Sequence, residues 1–208
     1  MSTADGRERD PLDTYRRKRR FDHTPEPSAE VGEDRTAGSP ATGRFVVHRH
    51  RASRLHYDLR LEIDGVLVSW AVPRGPTLDP RQRRLAIHVE DHPLDYFSFE
   101  SVIPSGEYGG GDVIVWDWGT WTADPDTPNP AAALDAGELK FRLDGQKLRG
   151  GFVLIRMRWS EGPKDQWLVI HRRDADAGPG WEPEDYPESV KTGRTNEDVA
   201  ARRHRKAG

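Results

Sequence analysis

Residues 54–72, RLHYDLRLEIDGVLVSWAV, constrain the fold more than any other stretch of the chain. His56, Asp58, Arg60 and Glu62 alternate with Tyr57, Leu59, Leu61 and Ile63, which is the two-residue period of a strand with one face buried. Asp64-Gly65 separates this run from a second apolar run, and Asp-Gly in that position marks a two-residue hairpin. The polar face is the unusual part. An ordinary wetted strand face is met by Ser, Thr or Lys, whereas this one carries an imidazole, two carboxylates and a guanidinium in succession.

The pattern continues on both sides. FVVHRH (45–50), RRLAIHVED (83–91), DVIVWDWGTW (112–121), ELKFRL (138–143), KLRGGFVLIRMR (147–158) and QWLVIHRRD (166–174) all read as strands. They are separated by PRGPTLDP (73–80), the Gly-rich IPSGEYGGGD (103–112), ADPDTPNP (123–130), a short helical piece from residue 133 and a second Asp-Gly turn at Asp144-Gly145. Seven or eight short strands joined by turns, with few helical patterns, indicate an antiparallel barrel or sandwich. Most of the seven tryptophans belong to its core.

The ends of the chain differ from this body. Residues 1–43 are rich in Ser, Thr, Asp, Glu, Arg, Gly and Pro, and bury too little apolar surface to offset chain entropy on their own. The expected organisation is a polar, partly flexible N-terminal segment over 1–43, one β domain over 44–175, and a peripheral segment with a basic flexible tail over 176–208. There is no cysteine, so disulfides, thiolate catalysis and zinc–thiolate sites are excluded. No stretch approaches the roughly 20 apolar residues of a membrane helix, and the first residues lack the apolar core of a secretory signal. A cytoplasmic protein with no membrane partner is expected. The formal net charge of −3 argues against a protein that coats nucleic acid, but leaves room for a local basic patch.

His56 and Asp58, two apart on one strand, point the same way and can share a metal ion. His48 and His50 end the preceding strand, and His88, Glu90 and His92 follow on the strand after it, making five histidines between residues 48 and 92. A closed barrel would gather these side chains, facing inward, at one mouth. Imidazole with carboxylate suits Mn, Fe, Zn or Ni. Arg60 reads either as an ion-pair partner of Glu62 or, beside a metal, as a fork for two phosphate oxygens. Arg74, Arg81, Arg83 and Arg84 favour an anionic ligand, and the basic run RRKRR at 16–20 suits phosphate-backbone contact or a solvated tail.

The stretch from FVVHRHRASRLHYDLRLEIDG through VPRGP, HVEDHPLDY and IPSGEYGGGD resembles the 3′-phosphoesterase domain of bacterial DNA ligase D, which also occurs as a free-standing protein. The likeness runs from about Tyr15 to Asp174 and is densest over 45–121. It implies an all-β fold, a compact closed or nearly closed antiparallel β-barrel of about 7–8 strands with short peripheral helices and a crescent-shaped groove. The implied activity trims DNA 3′ ends, removing a terminal ribonucleoside and then the 3′-phosphate, with Mn2+ or another divalent transition metal. By motif, the metal ligands fall on His50, His56 and Asp58. Catalytic and phosphate-contacting positions fall on Arg60, His92 and Tyr96, with Arg74 and Arg84 as further substrate-binding basic residues. His48 stands where the family often has Gln. In YRRKRRFDHTPEP, Lys18, Arg19, Phe21 and Glu26 match the segment associated with ribonucleoside removal, with Arg19 and Glu26 as its candidate residues, but Arg20 occupies an acidic position. Phosphate removal is therefore the firmer implication.

The implied setting is DNA repair by non-homologous end joining, at primer–template ends. The sequence has no Lys-x-Asp-Gly ligase motif, so separate Ku and DNA ligase or polymerase proteins are the expected partners. Two other classes compete. A non-haem iron oxygenase also uses two histidines and a carboxylate on a β-barrel, but would not need the surrounding arginines. A DNA-end-binding module with degenerate catalysis would bind without turnover.

Overall fold

A computed structural model of the chain describes residues 10–29, 41–157 and 165–206, with side chains described up to residue 202. Among the described residues nine strands form one sheet: β1 (Thr42–Arg51), β2 (Leu55–Ile63), β3 (Val66–Val72), β4 (Arg84–His92), β5 (Ser101–Ile103), β6 (Gly111–Ala123), β7 (Glu138–Gly145), β8 (Arg149–Arg156) and β9 (Gln166–His171). Eight of them close in the order β1-β2-β3-β4-β9-β8-β7-β6 and back to β1, with every pairing antiparallel. This is the closed barrel expected from the sequence. The three-residue β5 pairs with the start of β6 and carries too short an alternation to be read from sequence.

The alternation translates directly into packing. Ile63 pairs with Val66 across Asp64 and Gly65, both at positive φ (48° and 76°), as a two-residue turn matched to strand twist requires. The second Asp-Gly behaves differently. Asp144 pairs with Arg149 inside the ladder, and the chain reverses after Gly145, whose N–H donates to the Leu148 carbonyl. Asp117 of β6 organises that reversal. Its buried carboxylate accepts the backbone N–H groups of Gln146, Lys147 and Leu148 at 2.9, 3.1 and 2.8 Å. Asp117→Ala leaves those donors without their acceptor and is expected to cost about 2–4 kcal/mol, read as a lowered midpoint in urea unfolding. An unchanged midpoint would mean that water replaces the carboxylate.

Tyr57, Leu59 and Leu61 of β2 face the barrel interior with Phe45, Trp70, Trp116, Trp121, Phe141, Phe152, Leu154 and Trp167. An eight-stranded barrel has just enough room inside for its own side chains, and four tryptophans, three phenylalanines and a tyrosine occupy that space. The complementary face of β2 must therefore point outward. His56, Asp58 and Arg60 lie on the outer wall of the barrel, not inside its mouth as the sequence reading expected.

A second, smaller core covers that wall. Leu12 and Tyr15 from the N-terminal segment, which contains helix α1 (Asp13–Arg17), pack with Val46, Leu67, Tyr96, Phe99, Ile103, Val113 and Val115. Most of residues 10–29 thus belong to the wall of the site, even though 1–43 reads as partly flexible; residues 1–9 and 30–40 lie outside the described residues. Helix α2 (Pro130–Ala136) precedes β7, with Asn129 accepting from the Ala132 N–H. At the C-terminal side, Trp181, Glu182 and Glu184 cap one end of the barrel. Helix α3 (Asn196–Lys206) is anchored by Asn196, which is buried against Arg49 and the Asp112 carbonyl. The basic tail expected to be flexible thus starts as a docked helix.

Candidate active site

The outer face of β1 and β2 brings three ligands together. His50 pairs with His56 and His48 with Asp58 in the β1–β2 ladder, so the two histidines and the carboxylate form one cluster. One ligand atom from each of His50, His56 and Asp58 lies within 4.8 Å of the others. Backbone carbonyls fix both imidazoles. His56 Nδ1 lies 3.0 Å from the Arg54 carbonyl and His50 Nε2 lies 2.8 Å from the Gly109 carbonyl. Those carbonyls can only accept, so the proton sits on Nδ1 of His56 and on Nε2 of His50. The opposite nitrogens carry free lone pairs facing Asp58, with His56 Nε2 at 3.5 Å and His50 Nδ1 at 3.9 Å. Two lone pairs and an anionic oxygen turned toward one point are what a divalent transition metal needs.

The Gly-rich loop supplies the carbonyl that orients His50, and its glycines permit close approach: a Cβ on Gly111 would lie 2.3 Å from the Arg51 carbonyl oxygen.

Arg60 links the metal cluster to the rest of the site. Its buried guanidinium donates to Asp58 Oδ2 (2.9 Å), Ser69 Oγ (2.8 Å) and His48 Nδ1 (3.2 Å). Glu62 pairs instead with Arg44 at 2.7 Å, so the ion-pair partner of Arg60 is Asp58 and not Glu62. Burial pushes the Asp58 carboxyl up, but Arg60 and the three neighbouring histidines hold it below the ordinary range. Because Arg60 can only donate, His48 Nδ1 accepts and Nε2 holds its proton; Nε2 is buried and has no partner among the described residues.

Beyond Arg60 lie His92 and Tyr96, their ring centroids 4.8 Å apart across the tight helical turn Leu94–Ser98. Arg19 reaches in from the N-terminal segment. Its Nη2 lies 3.2 Å from His92 Nε2, its Nε donates to Glu26 at 2.8 Å, and its Nη1 lies 3.3 Å from Glu90. Glu26 in turn accepts from the Tyr96 hydroxyl at 3.2 Å and from Thr24 at 2.9 Å. The two N-terminal candidates therefore meet the barrel candidates directly. Lys18 pairs with Glu90 at 3.0 Å, and Arg20 pairs with Glu107 of the Gly-rich loop.

His92 Nδ1 is 2.9 Å from the Glu90 carbonyl, so that nitrogen holds the proton and Nε2 accepts from Arg19. Burial, then the charges of Arg60 and Arg19, push the imidazole well below its usual value. His48 is pushed the same way by burial and Arg60, and His50 is lowered by burial against the pull of Asp58. The neutral ring is favoured in all three, so protonation is deferred to pH values below the ordinary histidine value of about 6.5. Histidine ring NMR should show His48, His50 and His92 not titrating between about pH 8 and 6.5. A transition of His92 near the ordinary value would mean that its contact with Arg19 is not kept in solution.

The strand β4 corrects a further expectation. Trp70 pairs with His88 and Ser69 with Val89, but Leu67 pairs with His92, so an extra residue bulges between them. The bulge reverses which face the later residues take. His88 packs on Trp70 toward the interior, while Glu90 and His92 turn to the outer site. Arg84, at the far end of β4, shares the inward face of Ala86 and pairs with Glu182 at 2.6 Å. Eight residues of strand, roughly 25 Å, separate it from His92. Arg84 lies toward the same barrel end as His56, but its side chain turns inward and its described ion pair is with Glu182. Arg74 is exposed in the turn after β3, next to Val72, which pairs with Tyr57 beside His56. It stands at the rim on the metal side.

Two contributors escaped the sequence reading. Ser69 breaks the apolar run VLVSWAV and lies opposite Arg60, a position that the Asp-Gly hairpin register already implies. Tyr15, whose ring meets that of His92 at 5.0 Å and lies 3.8 Å from the Arg19 guanidinium carbon, sits in a polar segment with no periodicity to mark it.

The model of the DNA ligase D 3′-phosphoesterase domain matches residues 48–156, more than half of the chain and all the barrel residues of the cluster. The chain is 53% identical over 167 residues to the multifunctional non-homologous end joining protein LigD of Pseudomonas aeruginosa, covering 80% of this chain and 19% of that protein. It is 44% identical over 172 residues to the multifunctional non-homologous end joining DNA repair protein LigD of Mycobacterium tuberculosis, covering 81% and 20%. With LigD of Mycolicibacterium smegmatis the identity is 38% over 197 residues, or 91% of this chain and 24% of the relative. The chain thus spans about a fifth to a quarter of the length of these relatives. Two neighbouring strands whose outer face carries two oriented imidazoles, a carboxylate and a guanidinium, inside a matched segment of this extent, place the chain in the family of DNA ligase D 3′-phosphoesterase domains.

Proposed function

We propose that this protein heals DNA 3′ ends by metal-dependent hydrolysis, removing a 3′-phosphate from primer termini during end joining. The observation that carries the reading is the contiguity of two half-sites. A cluster fit for a divalent metal (His50, His56, Asp58) shares Asp58–Arg60 with a pocket of two guanidinium groups, a neutral imidazole and a phenol. A phosphate monoester dianion needs both halves: a metal to neutralise one oxygen, and cationic donors for the others.

The residues divide the work as follows. His50, His56 and Asp58 would hold the ion, for which Mn2+ is our assignment, and that ion would supply Lewis-acid polarisation of a phosphoryl oxygen. Arg60 and Arg19 offer positive charge on either side of His92, the two charges that depress its pKa. Their remaining N–H groups can turn to phosphate oxygens. His92 Nε2 is an acceptor in the free protein and receives a proton only when an anion offsets the two guanidinium charges. Tyr96, pushed well above its usual pKa by burial and by Glu26, keeps its proton at neutral pH and can hydrogen-bond the ester. Hydrolysis breaks the bond from phosphorus to the primer 3′ oxygen, forms one to the oxygen of water, and leaves a 3′-hydroxyl and phosphate.

Ribonucleoside removal is the second activity assigned to the family. The Arg19–Glu26–Tyr96 chain favours it here, and the Arg20–Glu107 pair in the acidic position disfavours it. We assign phosphate removal as the principal activity. Ku and a separate ligase or polymerase are the partners that fit this role, in the cytoplasm at the nucleoid. Among the described residues, no helix is long and apolar enough to cross a membrane.

The test is a labelled primer–template bearing a 3′-phosphate or a single 3′-ribonucleotide, incubated with Mn2+ or with EDTA. Conversion of the 3′-phosphate to a hydroxyl with Mn2+ alone is expected. Binding without turnover under any divalent metal would replace the enzyme reading with an end-binding module. Turnover that requires iron, oxygen and a co-substrate would return the oxygenase reading.

A further inference from the structure

We propose that Tyr108 is a stacking platform for the nucleobase of the terminal nucleotide, which gives the site a preference for nucleic-acid ends over isolated phosphate esters. The inference rests on the reading above and names the part of the substrate that the phosphate pocket leaves unread.

Tyr108 is one of the few large apolar side chains left open, with 47% of its surface exposed. The other exposed tyrosine, Tyr186, already stacks on Trp181 with centroids 5.1 Å apart and planes inclined by 15°. Tyr108 has no aromatic neighbour in contact among the described residues. An open phenol ring costs solvation free energy unless something covers it in use, and its position indicates what that is. The residue that follows it, Gly109, lends its carbonyl to His50 of the metal cluster. The guanidinium carbon of Arg19, which contacts His92, lies 5.5 Å from the Tyr108 ring centroid. The ring therefore stands beside both halves of the phosphate site, within the span of one nucleotide from phosphate to base.

Its pose is held from the protein side. Lys18 Nζ lies 3.1 Å from the phenol oxygen and 4.7 Å from the ring centroid, and the same ammonium is tied to Glu90. Glu107, immediately before Tyr108, is bound by Arg20. Two basic residues of the N-terminal segment thus brace the loop that presents the ring. Stacking on an aromatic face is tolerant of sequence, because every base has a π-face, which suits an enzyme that must accept any terminal nucleotide. Neighbouring cations add to the attraction for the electron-rich face and for the adjacent phosphate.

The test compares wild type, Tyr108→Ala and Tyr108→Phe on two primer–templates with Mn2+, one ending in a normal 3′-phosphorylated nucleotide and the other in a 3′-phosphorylated abasic residue. On the normal end, Tyr108→Ala is expected to lower kcat/KM about tenfold, mainly through KM, within the range that base stacking contributes. On the abasic end the two enzymes should converge. Tyr108→Phe, which keeps the ring and drops the hydroxyl, should recover most of the loss. Equal losses on both ends, or failure of Tyr108→Phe to recover, would overturn the platform and assign Tyr108 to bracing Lys18. Affinity for both ends is measured in parallel by anisotropy. If wild type binds but turns over neither end, the proposed function fails while the base-versus-abasic affinity ratio still decides the platform. If that ratio is unchanged by Tyr108→Ala, the platform fails alone.

Discussion

His56→Ala is expected to lower turnover of a 3′-phosphorylated primer by roughly 10³-fold or more at saturating Mn2+, the effect of several kcal/mol that loss of the proposed metal ligand would have. The position makes this a clean test. His56 is partly exposed at the end of β2, and its ring is oriented by a backbone carbonyl two residues away rather than by the core. Removing it opens no buried cavity and leaves Arg60, His92 and Tyr96 bonded as before, so the fold should survive with little loss of thermal stability. The same substitution should weaken Mn2+ binding, read by calorimetry or by the shift in Tm that the ion produces. Loss of activity together with loss of the Mn2+-dependent Tm shift is the expected pair. Activity retained at high Mn2+ would mean that His56 is not a ligand, and that the cluster's geometry serves some other purpose.

Much of the fold was legible because alternation and turn chemistry are local. The Asp64-Gly65 hairpin and the polar sequence of β2 are set by residues within ten positions of one another, and the register that follows from them also fixes β3. The side of the wall on which the polar face lies was not local. Alternation shows that His56, Asp58 and Arg60 share a face; only the interior volume, occupied by Trp70, Trp116, Trp121 and Trp167, decides that this face is the outer one. The Asp144-Gly145 pair carries the same lesson: two residues that make a turn in one hairpin stay in the ladder of another, because Asp117 holds the reversal two residues later.

The candidate metal cluster was partly readable for the same local reason, since His56 and Asp58 share one strand face with His48 and His50 on its neighbour; the choice of His50 as a ligand rested on the resemblance. The phosphate half was read through resemblance, because its parts arrive from three places. Arg19 and Glu26 come from a segment without hydrophobic periodicity, held down by Leu12 and Tyr15. His92 comes from a strand whose bulge defeats parity counting, so that His88 and His92, both even-numbered, end on opposite faces. Arg84 shows the converse. Its basic character among other arginines invites a phosphate role, but its side chain shares the inward face of Ala86 and pairs with Glu182.

Arg60→Ala is expected to damage both stability and chemistry, and the two losses separate in measurement. The guanidinium is buried and divides its donors among Asp58, Ser69 and His48. Truncation leaves the Asp58 carboxylate buried without its cation, and leaves His48 without a partner on either ring nitrogen. Breaking one partner out of a buried ion pair costs about 3–5 kcal/mol, which should appear as a large drop in the urea midpoint. Arg60→Lys keeps a positive charge next to Asp58 and should recover part of that stability. A single ammonium cannot reach three acceptors held by a planar fork, nor spare N–H groups for a phosphate. Turnover by Arg60→Lys should therefore remain about 10²–10³-fold below wild type at a temperature where both are folded, as expected when an oriented donor to the developing charge is lost. Near-normal kcat in Arg60→Lys would show that Arg60 serves only to neutralise Asp58, and the phosphate would then have to be held by Arg19 and His92.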